Sequence, residues 1–180
     1  MVQGLDHVRG ELMRALLLCL TALCACSPAG AGEHATALPG SVDSLAGLAD
    51  SAWTALMRGD TAAMERLRLS EYEHNRLVWP ELPAARAGSG YPVDLAWQNI
   101  QIRNVAARSR LLGRYARGGP VLHGVQCEGQ QHFRTFSVLT DCYLQLADGS
   151  GRSAGRFQLF KDVLVRNGEY KIFRYYFDGE

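Results

Sequence analysis

No apolar run in this 180-residue chain approaches the roughly 20 residues that a bilayer-crossing helix needs, and the strongest, Ala15 to Ala25, is about half that length. Charge of one sign is lacking too. The chain has 19 basic and 18 acidic residues and a net charge of +1, which excludes a polyanion partner held by bulk charge, nucleic acid included. No nucleophile elbow, phosphate loop, triad or zinc spacing occurs, and His123 and His132 stand at no ligand-like separation, so neither metal nor cofactor is expected. Cysteine is scarce, with five residues, and three of them sit in or beside the first apolar run.

That run closes on Leu23-Cys24-Ala25-Cys26 and is followed by Ser27-Pro28. Arg14 supplies a positive start, Leu16-Leu17-Leu18 opens an apolar centre, and the small Ala25 sits where export processing cuts. Asp6 and Glu11 offset Arg9 and Arg14 upstream, which makes Met13 the alternative start. The arrangement resembles a bacterial lipoprotein signal, departing from it only at Cys24. The resemblance implies that Cys26 becomes the mature N-terminus and carries acyl chains, which anchor it at a membrane. Ser27, rather than Asp, implies a cell-envelope protein sorted to the outer membrane and facing the periplasm in a Gram-negative cell. An ordinary cleaved signal with a soluble periplasmic product is the alternative. Residues 1–25 are then signal, 26–41 an Ala/Gly-rich tether too poor in large apolar groups to fold, and 42–180 a single domain.

Export leaves Cys127 and Cys142 as the pair within the domain. An oxidising compartment favours a disulfide, worth about 3 kcal/mol in the chain-entropy model. Two buried free thiols fit the sequence equally well, because spacing does not reveal whether the Cα atoms come within reach.

Ser44 is placed to cap a helix whose Leu45, Leu48, Ala52 and Leu56 share a stripe, and Arg58-Gly59-Asp60 makes the turn into a second. Pro80 and Pro83 stop any helix through Trp79. A third, long helix is expected from Pro92 to about Arg117. It has Trp97, Ile100, Leu111, Leu112 and Tyr115 on one side and Arg103, Arg110, Arg114 and Arg117 on the other. No acid occurs between Asp94 and Glu128, so the Arg stripe reads either as a solvated face or as a contact for anionic headgroups or an acidic partner. Asn104 and Arg108 fall inside the apolar sector, where a polar pair needs partners, so they line a pocket or mark a break of the helix near Val105, unless Arg108 snorkels to solvent.

After Gly118-Gly119-Pro120 the period changes to two. Phe136, Val138, Thr140, Cys142, Leu144 and Leu146 are expected to share one face of a long strand, after a strand from Val121 to Cys127. Arg156 to Arg166 forms the next strand, and Asn167-Gly168 is a two-residue hairpin signal into Glu169 to Phe177. That turn sets Val163 against Ile172 and Lys161 against Arg174. Two like charges face to face call for an acid, for which Asp141 is placed, or for an anionic ligand group.

Helices followed by an antiparallel meander predict an α+β domain. The chain resembles the nuclear transport factor two-like, or SnoaL-like, superfamily. The likeness lies in Ala55-Leu56-Met57-Arg58-Gly59-Asp60-Thr61-Ala62-Ala63-Met64 and the hairpin Val165 to Arg174. The resemblance implies N-terminal helices packed on a curved antiparallel sheet, cone-shaped and cystatin-like. It also implies a pocket used in some members for lyase or isomerase chemistry and in many for binding or dimerisation only. The leading expectation is a non-catalytic domain that binds a small molecule or a periplasmic protein, with Asn104, Arg108, Lys161 and Arg174 as ligand-contacting candidates. The alternatives are a lyase or isomerase using Asp141, with Tyr143, Glu71 and His74 as weaker catalytic candidates, and a structural module that forms a homodimer.

Overall fold

The computed structural model describes residues 37–116 and 120–177. The signal, Cys26, the first part of the tether and Arg117 lie outside the described residues. Four α-helical segments precede five strands, which makes the domain α+β.

Helix α1, Leu45–Arg58, starts where Ser44 Oγ accepts from the Gly47 amide at 3.1 Å and ends at Gly59, whose φ of 66° suits a residue without Cβ. Asp60 caps α2, Thr61–Arg66, through the Ala63 amide at 2.8 Å. Helix α3, Glu71–Glu73, is closed by a Ser70–Glu73 capping box and widens into a π-helical turn, His74–Val78, before 3-10 turns at Trp79–Glu81 and Pro83–Ala85. Helix α4, Val93–Tyr115, is the expected long helix.

The strands are β1 Val121–His132, β2 Ser137–Ala147, β3 Ser153–Phe157, β4 Val163–Arg166 and β5 Glu169–Ile172, all paired antiparallel. Their order is β1-β2-β4-β5, with β3 pairing β2 beyond β4. The expected strand from Arg156 to Arg166 is therefore two strands, parted at residues 158–162. The hairpin register is as the Asn167-Gly168 turn dictates, with Val163 opposite Ile172 and Val165 opposite Tyr170. It continues past β5, where the Phe173 amide donates to Asp162 O and the Tyr176 amide to Leu159 O, both at 3.0 Å, so Lys161 does sit opposite Arg174.

The single apolar face expected along β2 is interrupted. Asp141 has φ 52°, a left-handed conformation that breaks the alternation. Cys142, Leu144 and Leu146 face a core built with α1, α4 and Met64 of α2, whereas Phe136 and Val138 join Leu38, Leu69, Val78 and Leu164 in a second cluster. Opposite the break, a Cβ on Gly129 would lie 2.5 Å from Thr140 Oγ1, so the close approach of the strands there requires glycine. Both sheet faces are thus packed in this region, and each fully buried Leu or Phe contributes about 1.5–3 kcal/mol.

The folded domain begins earlier than residue 42. Leu38 is buried in the second cluster, its amide donates to Glu169 Oε2 and Ser41 Oγ donates to Glu169 Oε1. The outer edge of β5 is covered by Val42, which exchanges two backbone hydrogen bonds with Tyr170, and by the 67–69 segment, bonded to Ile172.

Candidate functional site

The break at Asp141 and the gap between β3 and β4 open a cleft of about 210 Å³ lined by Leu82, Gln131, Phe133, Val138, Thr140, Asp162 and Phe173. Local chemistry explains each wall. Glu81 accepts from the Thr135 amide at 3.2 Å and hydroxyl at 2.6 Å, which ties the 3-10 turn carrying Leu82 to the β1–β2 turn carrying Phe133. Phe133 stacks on Phe136 with ring centroids 4.6 Å apart. Phe173 packs edge-on against His74, itself set against Trp97 and Trp79 by the π turn.

Asp162 is the ionisable group of this cleft. Burial pushes its carboxyl above the ordinary carboxylate range, against the pull of Lys161 and Arg174. A desolvated carboxylate beside aromatic and aliphatic walls can accept a hydrogen bond from, or pair with, a ligand donor. A second cavity, larger at about 390 Å³, lies near the β2–β3 turn and is lined by His123, Gln145, Leu146, Ala147, Ser153 and Arg156 with Gly151 and Gly155. Arg156 is already committed there, since it pairs with Glu128 at 2.6 Å and lies 4.0 Å over the Tyr143 ring.

The expected residues fall in separate places. Asp141 pairs with Lys161 at 3.3 Å with both side chains roughly half exposed, so it answers the Lys161–Arg174 juxtaposition as an exposed ion pair. That contact raises the Lys161 pKa. Tyr143 lies under Arg156, away from Asp141's partner. Glu71 is exposed and His74 is buried, and Glu71 acts on the imidazole as a nearby charge that favours its protonated form. Burial lowers the His74 pKa, and its Nδ1–H donates to Asn75 Oδ1 at 2.6 Å.

Asn104 and Arg108 do face the interior. Asn104 is fully buried and its Oδ1 accepts from the Tyr175 amide at 3.2 Å. Arg108 and the buried Arg68 both pair with Glu65; Arg68 also donates to Gln101 and lies 5.0 Å over Trp97. Burial opposes the Glu65 charge, yet the two arginines together hold its carboxyl below the ordinary range. This network joins α2 to α4, whereas Lys161 is engaged with Asp141, so Arg108 and Lys161 are committed to different carboxylates.

Cys127 and Cys142 stand opposite each other on β1 and β2 and are joined by a disulfide, with Cα atoms 3.8 Å apart. Among the described residues no helix is long and apolar enough to cross a membrane, and no three His, Cys, Asp or Glu side chains gather as a metal site.

Sequence reasoning missed Asp162. Its signal is a carboxylate within Leu159-Phe160-Lys161-Asp162-Val163-Leu164, where alternation sends it to the face opposite Val163. It missed Glu73 as well, although Ser70-x-x-Glu73 is a capping-box pattern.

No known family, curated protein or solved structure shows significant similarity to this chain.

Proposed function

We propose that this protein is an envelope lipoprotein anchored through acyl chains on Cys26, whose domain binds a small apolar molecule bearing an amine in the cleft around Asp162. The observation that carries the binding reading is a partly desolvated carboxylate lining the same cleft as Phe133 and Phe173. Aromatic faces and a half-buried carboxylate both favour a cationic or hydrogen-bond-donating head, and the aliphatic walls favour an apolar body. The address rests on the lipobox-like Leu23-Cys24-Ala25-Cys26, and outer-membrane sorting follows from Ser27. The helices-then-meander order and the packed sheet support a cone-shaped, SnoaL-like architecture.

Binding without catalysis is the better reading, because Asp141 is paired with Lys161, Tyr143 lies under Arg156, His74 is bonded to Asn75 and Glu71 is exposed at the surface. The raised Asp162 pKa supports a second one, in which Asp162 serves as a general base for an isomerase or lyase step. Extraction of the natively purified protein and mass spectrometry of the released small molecules tests the first reading. An apolar amine recovered with wild type and lost with Asp162→Asn is the expected result. Deuterium appearing on a carbon of that molecule, in heavy water and only with Asp162 present, would favour the second.

A further inference from the structure

Helix α4 is apolar on two sides, and the core accounts for one of them. Trp97, Asn104, Ala107 and Leu111 are buried against the domain. On the far side Leu95, Ile102 and Val105 are exposed, Ile102 to 67%, with the exposed Tyr91 two residues ahead of the helix. These are four of the six large apolar side chains exposed among the described residues. Spacings of seven and three residues place Leu95, Ile102 and Val105 on one helical stripe, and Tyr91, ahead of the extended Pro92 cap, is held beside the helix by accepting from Asn99 Nδ2 at 2.7 Å. Arg103, Arg110 and Arg114, all exposed, run along one flank of it, and Asp94 is the one acid of the helix.

We propose that this face of α4 lies on an anionic lipid surface, with Tyr91, Leu95, Ile102 and Val105 at the headgroup boundary and Arg103, Arg110 and Arg114 among the phosphates. An exposed apolar stripe with a guanidinium flank has the chemistry of an interfacial helix. Charge decides between this occupant and a second copy of the chain. An antiparallel two-fold pairing of α4 centred on Ile102 brings Arg103 beside its own copy, whereas lipid phosphates neutralise all three arginines. The lipid anchor proposed for Cys26 would hold the domain near such a surface, since the residues up to Ala37 span at most about 40 Å. The helix contact stands without it.

The test uses the chain from residue 26 with Cys26→Ser, which removes the acylation site and keeps residues 37–177, where every contact described here is made. Co-sedimentation with vesicles of equal parts phosphatidylglycerol and phosphatidylcholine should exceed that with phosphatidylcholine alone. Arg103→Gln with Arg110→Gln should lower the phosphatidylglycerol-dependent affinity about 30-fold, and Ile102→Ser with Val105→Ser about tenfold or more. All four positions are exposed, so the melting transition should not move and misfolding is separable from lost contact. Equal binding to both vesicle types, or variants that bind like wild type, would overturn the proposal. So would a concentration-dependent dimer that Ile102→Ser abolishes without any vesicle binding, which would assign the face to a second copy. None of these outcomes depends on whether Cys26 is acylated or the Asp162 cleft is filled.

Discussion

Lys171 Nζ donates to both carboxylate oxygens of Glu73, at 2.8 and 2.9 Å, and to the carbonyl of Pro39 at 2.6 Å. Lys171 is 2% exposed and Glu73 3%. Glu73 also accepts from the Ser70 amide and hydroxyl, so a capping box, a strand and the N-terminal segment meet at one buried pair. Truncating one partner leaves the other charge buried alone. Lys171→Met should therefore cost about 3–5 kcal/mol, and Lys171→Met combined with Glu73→Leu should recover much of that loss. Chemical denaturation of the three proteins reads the difference.

The disulfide closes β1 on β2 beside the break at Asp141. Replacing Cys127 and Cys142 by Ser together should cost about 3 kcal/mol in the chain-entropy model, with the sheet otherwise retained. A reducing agent should lower the midpoint of wild type and leave that of the double variant unchanged.

Asp141 is held left-handed and its ion pair with Lys161 is exposed. Its backbone, more than its charge, should then matter. Asp141→Gly should be close to neutral, and Asp141→Val should cost about 1–3 kcal/mol, the scale of a strained left-handed residue. Lys161→Met should change stability by less than about 1 kcal/mol. Equal losses for Asp141→Gly and Asp141→Val would show that the carboxylate, not the conformation, is what the site needs.

His74 is buried with a lowered pKa, so the unfolded chain takes up its proton at a higher pH than the native protein does. Stability from this residue is intact above the unfolded value and falls as pH drops from there toward the lower native value. Asp162 has the opposite sign. Its raised native pKa means that stability is present below the ordinary Asp value and is lost as pH rises through the native one. Thermal melts against pH should show His74→Phe flattening the loss on the acid side of neutrality. Asp162→Asn should be more stable than wild type at neutral pH, the signature of a carboxylate kept at the expense of stability.

Local signals carried much of this fold. Ser44, Gly59 and Asp60 cap what their side chains and backbone freedom allow them to cap, Asn167-Gly168 sets the hairpin register, and the wheel that sends Asn104 inward is right because α4 is regular over 23 residues. The face change in β2 was not legible, because period-two counting assumes unbroken alternation and Asp141 supplies the interruption. The docking of Leu38 was hidden by its low-complexity neighbours; a single apolar residue has no period to read. The cleft combines residues from five separate stretches of chain, Leu82 to Phe173, whose meeting depends on the second core cluster and not on any local pattern. Lys161 and Arg174 were paired correctly by register, but Asp162, whose charge both of them favour, had no partner in sequence to announce it.

The cleft is tested most directly by titrating the chain from residue 26, with Cys26→Ser, with benzylamine, benzyl alcohol and benzoate while following the Thr140 and Phe133 resonances by NMR. The ring is common to the three probes, so only the head group differs. Benzylamine should shift both resonances saturably, benzyl alcohol should bind more weakly and benzoate should not bind, and Asp162→Asn should erase the preference for the amine. Benzoate binding as well as benzylamine, or a preference that survives Asp162→Asn, would contradict the assignment of this cleft as an amine-binding site.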